Sequence, residues 1–368
     1  MQAMAAIQRA GETEPAESPG PVWRRSGRID VRLGLTLLAL LALVVLVVTQ
    51  RSVIASSLGA LDHLNWTWLP LALGLEWVSI ATFARMQRRL FRAGGKSATQ
   101  RSVMATSVAG NAISVSVPLA GPQLGTAFAY RRFRRLGIDS ALAGWALIVS
   151  GVVSSLAAGL IIVAGSVLSG NHAVATTGAV GGIIGVGAVV LATVAIRHRP
   201  VQRGIERLLV RIVSRARRLL HLRVGSPHEA IGRFVTRLRT LRLRRRDWGK
   251  VLGYALANWL TDAGVLAVSI LAIGGTVPWR GLLLAYGVRI AAGSISITPG
   301  GLGVVEGALA VALMGVGMHR PSAVAAVLLY RFISFWMVTA VGWAVYVLGQ
   351  RRTSARPLAP TRRRSWAL

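Results

Sequence analysis

The sequence has no cysteine, which removes disulfides, Cys-ligated zinc and a thiol nucleophile from consideration. It is also poor in acids: 12 Asp and Glu stand against 43 Lys and Arg in 368 residues, a formal charge of +31. Charged residues of both signs make up only 15% of the chain, where a soluble domain carries roughly 25%. That leaves too little polar surface for a soluble fold. The 53% of apolar residues gather into runs, and several of these must face lipid. Catalytic signatures are missing as well. No HExxH, Gly-x-Ser-x-Gly or Walker loop occurs, and the six histidines fall in loops or amphipathic stretches. No metal or cofactor is expected.

The arginines are not scattered. They lie between apolar runs and near both ends, as the positive-inside rule asks of cytoplasmic loops. A basic chain can also bind nucleic acid, but no recognised nucleic-acid motif is present. Spans are expected at about 33–49, 66–83, 140–168, 176–196, 251–273 and 322–348, with both termini cytoplasmic. Residues 1–31 form a tail, disordered over its first part, and 351–368 form a basic one. Residues 197–250 repeat apolar positions at helical spacing (Ile205, Leu208, Leu209, Ile212; then Ile231, Phe234, Leu238, Leu241) among dense arginines. They read as basic amphipathic helices on the cytoplasmic surface. The segment 32–350 is the membrane domain.

Two apolar stretches do not fit whole spans. Residues 102–130 are basic on both flanks, so the chain must enter and leave on one side. Two spans need about 40 residues, and Pro118, Gly121 and Pro122 interrupt the middle. Residues 282–317 are broken at Pro299-Gly300-Gly301, and the sidedness of the neighbouring spans places both their ends outside. Each is therefore read as a re-entrant hairpin, one from each face. The two share a local echo: Ser114-Val115-Ser116-Val117-Pro118 before Gly121-Pro122, and Ser294-Ile295-Ser296-Ile297-Thr298-Pro299 before Gly300-Gly301. Opposed broken helices with matching sequence are the pattern of an inverted-repeat transporter. The fold class expected is an all-α polytopic membrane protein, with about six spanning helices and two re-entrant hairpins.

Five ionisable residues fall inside apolar segments: Glu76, Asp262, Arg289, Glu306 and Arg331. Each is costly in a bilayer and so a candidate for function. For Glu76 and Asp262 a structural role is favoured, with Asp262 bonded to Asn258 one turn earlier. Arg289, Glu306 and Arg331 flank the glycine turn. Gly300, Gly301 and Gly303 permit positive φ, and the helix that follows would offer free N–H groups and a positive dipole end to an anion. Two arginines could then hold a phosphate. The competing reading is an internal network, with Glu306 pairing one arginine. The serines of the third span (Ser150, Ser154, Ser155) are read as packing residues that bond to their own helix backbone.

The stretch Thr298-Pro-Gly-Gly-Leu-Gly-Val-Val-Glu306-Gly-Ala-Leu, followed by Ala326-Val-Leu-Leu-Tyr330-Arg331-Phe-Ile-Ser-Phe-Trp336, resembles the signature of the membrane region of lysylphosphatidylglycerol synthases, the flippase-like or UPF0104 family. Asn111, Pro118 and Gly121 resemble that family's upstream segment. There the family usually reads Pro-Gly-Gly, an acid and an arginine, where this chain has Gly121-Pro122-Gln123; Ser150 stands where many relatives carry arginine. The resemblance covers about residues 33–348 and extends over no aminoacyl-transfer domain. It implies a lipid translocase of the bacterial inner membrane that binds an anionic phospholipid or lipid-linked precursor. The implied headgroup set is Arg289, Pro299, Gly300, Gly301, Gly303, Glu306, Tyr330 and Arg331, with Asn111, Pro118 and Gly121 as a secondary hairpin. Membrane lipids are the expected partners, with a second copy of the chain or a separate synthase as the protein partner. The alternatives are a membrane enzyme modifying headgroups, or a scaffold for a synthase or glycosyltransferase.

Overall fold

A computed structural model describes residues 64–118, 120–170, 244–295 and 298–354. The expected spans at 33–49 and 176–196, the basic amphipathic helices up to residue 243 and the terminal tails lie outside the described residues.

Among those residues the secondary structure is entirely helical. A 3-10 turn (Trp66–Trp68) leads into α1 (Leu69–Ala93), followed by α2 (Gln100–Ser116), α3 (Gly121–Arg135) and α4 (Ser140–Leu168). After the undescribed stretch come α5 (Arg245–Ala272), α6 (Trp279–Ile295), a 3-10 turn at Pro299–Gly301 and α7 (Val304–Gly315). The last long helix runs as α8 (Arg320–Arg331), a π-helical segment (Phe332–Met337) and α9 (Val338–Ser354). Four stretches are long and apolar enough to cross a membrane: 66–93, 140–168, 246–272 and 320–349. They coincide with four of the expected spans. Large apolar side chains such as Trp77, Ile148, Val311 and Phe332 point outward, each more than half exposed. Lipid accepts such a surface; water would penalise it.

The expected end of the second span is too early. The helix continues through Arg85, Arg88, Arg89 and Arg92, and two of these side chains find partners. Arg88 Nε donates to the Ala98 carbonyl (2.9 Å), and Arg89 pairs with Asp247 at the start of α5. That contact and the Asn65 N–H to Ala272 carbonyl bond (2.8 Å) fix α1 and α5 as antiparallel neighbours over their whole length.

The arginine-rich ends share one face. The end of α1 meets the start of α5 through Arg89 and Asp247. Phe91 and Phe133 stack edge to face at 4.8 Å, which brings the end of α3 alongside. Arg132 lies against Gly349 near the end of α9. Helices α2 and α3 begin and end on this face, α2 ending at Ser116 and α3 starting at Gly121. At 17 and 15 residues they are about 25 and 22 Å long, short of the ~30 Å hydrocarbon layer. Helices α6 and α7 form a second pair whose outer ends meet at Gly281 and Val316, on the face opposite the basic one. Its turn at Pro299–Gly301 packs against α2. Two antiparallel helix pairs thus enter the bundle from opposite ends, and the broken backbone of the second touches the first.

The apolar interior falls into two clusters. One is built from the first half of α1, the second half of α5, and α6 to α8, around Leu266, Ile270, Leu309 and Leu313. The other joins the second half of α1 to α2, α3, α4 and the first half of α5, around Met86, Leu90, Phe91 and Leu142. Along α1 the switch comes between Ala72 and Ala81, and along α5 between Ala255 and Ala263. Glu76, Ser79, Asn258 and Asp262 occupy that switch, a polar layer between two apolar ones.

Candidate functional site

The polar layer is held first by neutral bonds. Asn258 Nδ2 donates to the Ser79 carbonyl (2.9 Å) and Oγ (2.8 Å), and Ser79 Oγ contacts the Asn258 carbonyl at 3.1 Å. On the other side of α5, Trp259 Nε1 donates to the Ser154 carbonyl (2.9 Å) and Oγ (3.2 Å) of α4. Ser150 does bond its own helix, at the Leu147 carbonyl (3.0 Å). The expected Asn258–Asp262 bond does not form. Asn258 turns to α1 because the antiparallel register puts Ser79 opposite it, which leaves Asp262 to other helices.

Asp262 is the hub of a buried charged cluster. Its Oδ2 accepts from the Tyr330 hydroxyl (2.9 Å) and from the Tyr286 hydroxyl, and lies 3.4 Å from Arg289 Nη1. Both tyrosines are fully buried. The Arg289 guanidinium sits over both rings, 5.4 and 5.5 Å from their centroids, an arrangement that favours a cation electrostatically. The α1–α5 register brings Glu76 level with Asp262. Glu76 there lies within electrostatic range of both Asp262 and Arg289. Glu76 is 9% exposed; its Oε2 and the Arg289 Nε are buried without a hydrogen-bond partner. Beside this cluster an apolar groove of about 400 Å³ runs along Leu75, Leu260, Gly264, Leu282 and Leu283.

A second cluster forms around the glycine turn. Gly300, Gly301 and Gly303 have φ of 57°, 73° and 83°, conformations that a side chain disfavours. The backbone there is open, and its polar groups need partners inside a membrane. Glu306 supplies one: its Oε2 accepts from the Gly303 N–H (2.7 Å), closing the first turn of α7. Its Oε1 accepts from Arg331 Nε at 2.6 Å. Arg331 Nη2 reaches the Gly300 carbonyl (2.9 Å), and the guanidinium lies 4.2 Å from the centroid of the Phe335 ring. Thr298 Oγ1 adds a bond to the Leu302 carbonyl (3.0 Å). Arg331 is only 4% exposed.

The residues expected as one headgroup set therefore divide in two. Pro299, Gly300, Gly301, Gly303, Glu306 and Arg331 come together at the turn. Arg289 and Tyr330 belong to the Asp262 cluster instead. The helix end expected to offer its N–H groups to an anion already carries one, the Glu306 carboxylate. Tyr330 and Arg331 are consecutive, so α8 presents one side chain to each cluster. The first hairpin contributes no charge. Asn111 and Pro118 are exposed, while Gly121 is buried against the Ser114 carbonyl, which a Cβ at that position would overlap. Ser116 Oγ accepts from Trp343 Nε1 (3.1 Å) on α9. Among the described residues no group of His, Asp and Glu is placed to hold a metal ion.

Sequence reasoning flagged Glu76 and Asp262 as buried ionisable groups but left them and Tyr286 out of the site. The signal that would have found the cluster was charge complementarity: Arg289 in an apolar helix needs an acid, and Glu306 cannot serve both arginines.

Residues 32–342, most of the chain, match the family model described as the lysylphosphatidylglycerol synthase TM region. The chain belongs to that family. It is a membrane protein, and the Pro299–Gly303 turn with Glu306 and Arg331 lies inside the matched region. The chain is also 31% identical over 109 residues to a UPF0104 membrane protein of Pyrococcus horikoshii; the match spans 30% of this chain and 32% of the relative's length.

Proposed function

We propose that this protein moves a lipid with an anionic headgroup between the leaflets of the bacterial inner membrane, along the seam where its two broken helix pairs meet. The observation that carries the reading is the contact between the Pro299–Gly301 turn and α2. Non-helical backbone at membrane depth persists only when it is buried in protein or lines a wet cavity, and transporters place their sites where such breaks meet. In this reading α2–α3 and α6–α7 are re-entrant hairpins of an inverted repeat, and the face bearing the arginine-rich helix ends is cytoplasmic, as are both termini. Six spans result when 33–49 and 176–196 are counted.

Both arginines are held by internal carboxylates, Arg331 by Glu306 and Arg289 by Asp262. A phosphate is therefore taken by exchange: it displaces a carboxylate from a guanidinium whose fork geometry suits either. Such exchange lets a headgroup alter the packing of the helix that carries the displaced acid. The apolar groove beside Leu75 and Leu283 has the character needed for an acyl chain.

The test is reconstitution of the full chain in vesicles with labelled phosphatidylglycerol, phosphatidylcholine and polyprenyl phosphate, scoring movement to the opposite leaflet. Transport of an anionic lipid by the native protein is expected, with a loss of tenfold or more in Arg289→Ala and Arg331→Ala. Unchanged rates in both variants, with the protein still folded, would refute the assignment.

A further inference from the structure

The charged side chains of the two clusters do not balance. At the turn, Glu306 and Arg331 neutralise each other. In the polar layer, two carboxyl groups meet one guanidinium. The charged and titratable groups gathered there are Glu76 from α1, Asp262 from α5, Tyr286 and Arg289 from α6, and Tyr330 from α8. Asp262 takes both tyrosine hydroxyls and the guanidinium. Glu76 takes none of these, and its Oε2 is a buried oxygen without a donor. A carboxylate so placed would be an uncompensated charge in an apolar interior, which proteins avoid by neutralising the group. Two carboxylates in one buried polar layer with a single guanidinium also repel each other unless one of them holds a proton. Geometry and charge count agree.

We propose that Glu76 and Asp262 form a proton-binding site at the middle of the bundle, with Glu76 holding a proton in the resting state. The second half of the proposal rests on the transport reading above. When a headgroup phosphate takes Arg289, Asp262 loses its cation and binds a proton in turn, so that one proton enters with one anionic charge. The step is a simple protonation of the Asp262 carboxylate, and the reverse step releases the proton when Arg289 returns. The groups come from four different helices, so a relative shift of α6 against α1 and α5 changes the distance that sets proton occupancy.

The proton site is tested without any lipid. Infrared spectroscopy of the purified full chain at neutral pH, compared in water and deuterium oxide, reads the carbonyl stretch of a protonated carboxyl group. The native protein is expected to show one such band. Glu76→Gln should remove it, and Glu76→Asp should keep it at a shifted frequency. Asp262→Asn should also remove it, because Glu76 then ionises against Arg289. Absence of the band from the native protein, or its survival unshifted in both Glu76 variants, would overturn the site. Coupling is tested in vesicles with labelled phosphatidylglycerol and an imposed pH gradient. One proton per lipid changes the distribution ratio up to about tenfold per pH unit, and Asp262→Asn should abolish that response. Movement of the labelled lipid by the native protein without any response to the gradient would overturn the coupling. A band that behaves as expected with no lipid moved would uphold the proton site and refute the transport reading.

Discussion

Replacing Glu306 by Gln keeps the shape of the side chain and an oxygen that can still accept from the Gly303 N–H, but it removes the charge facing Arg331. Arg331 is then a guanidinium with 4% of its surface exposed, left with the Gly300 carbonyl and the Phe335 ring. Breaking a buried pair from one side costs about 3–5 kcal/mol. The lower end applies here, because the Glu306 side chain is 19% exposed. Arg331→Met strands the opposite charge and removes the donor to the Gly300 carbonyl, so about 3–5 kcal/mol is expected again. The double variant has no stranded charge. It lacks the bond to Gly300 and the cation–ring contact, together about 1–2 kcal/mol. The two single losses should therefore exceed the double loss, with a coupling of several kcal/mol. Reversible unfolding of the full chain in mixed micelles, followed by helical circular dichroism, measures all three. Additive losses, or single losses under ~1 kcal/mol, would show that the pair is solvated and would remove the reason for treating this turn as a buried charged site.

Gly300→Ala should destabilise by about 1–3 kcal/mol, through its positive φ and because the new Cβ meets the Phe335 ring; Phe335→Leu in the same chain should recover part of the loss in the same unfolding assay. Tyr330→Phe removes a hydroxyl that donates to Asp262 (2.9 Å), a loss of about 1.5–3 kcal/mol for a bond to a charged group; an unchanged midpoint would mean Asp262 is not the acceptor. Hydrogen exchange should open the amides of Val117, Ala120 and Gly121 before those of Gly300, Gly301 and Gly303, since the turn in the second pair is tied by a charged side chain at each end and the first only by neutral ones.

Helix positions were legible in the sequence because lipid imposes a simple rule: about 20 apolar residues per crossing, with arginine at the ends that stay inside. The breaks at Pro118 and Pro299 were legible for the same reason, since 29 or 36 residues between like flanks are too few for two whole helices. Partnerships across helices were not. Asp262 has Asn258 one turn away, and local spacing favours that pair. The α1–α5 register decides otherwise, and nothing local encodes it, because residues 79 and 258 are joined by a long stretch of chain. Arg289 and Arg331 looked equivalent on either side of the turn. They differ because α8 turns Tyr330 towards α5 and α6 and Arg331 towards the turn, an angular difference between consecutive residues that only packing resolves. Glu306 was the exception: its place three residues after Gly303 is that of a helix-start acid, and the competing reading of an internal pair already had it bonded to one of the two arginines, though not which.

The two hairpins solve the same problem by different means, and the difference bears on how the molecule can move. Each brings non-helical backbone into a region where unsatisfied polar groups are expensive. In the first, the helices close on each other: Gly121 and Gly125 let α3 approach Ser114 and Gly110 of α2 directly, and Ser116 binds back to the Ala112 carbonyl (2.7 Å). No charge is involved, so the turn can rearrange without stranding one. In the second, the carbonyl of Gly300 and the N–H of Gly303 are held by an arginine and a glutamate that also hold each other. Opening that turn means separating a buried ion pair, unless something else of like charge takes the place of one partner. In the proposed transport a headgroup phosphate would do so for Glu306, and nothing neutral would. The same holds one residue earlier on α8, where Tyr330 and Arg289 converge on Asp262. Under the transport proposed above, a neutral lipid would lack the charge to open either cluster, whereas an anionic one would exchange its own oxygen atoms for a carboxylate's, so the charge of the headgroup, more than its shape, would decide whether these helices part.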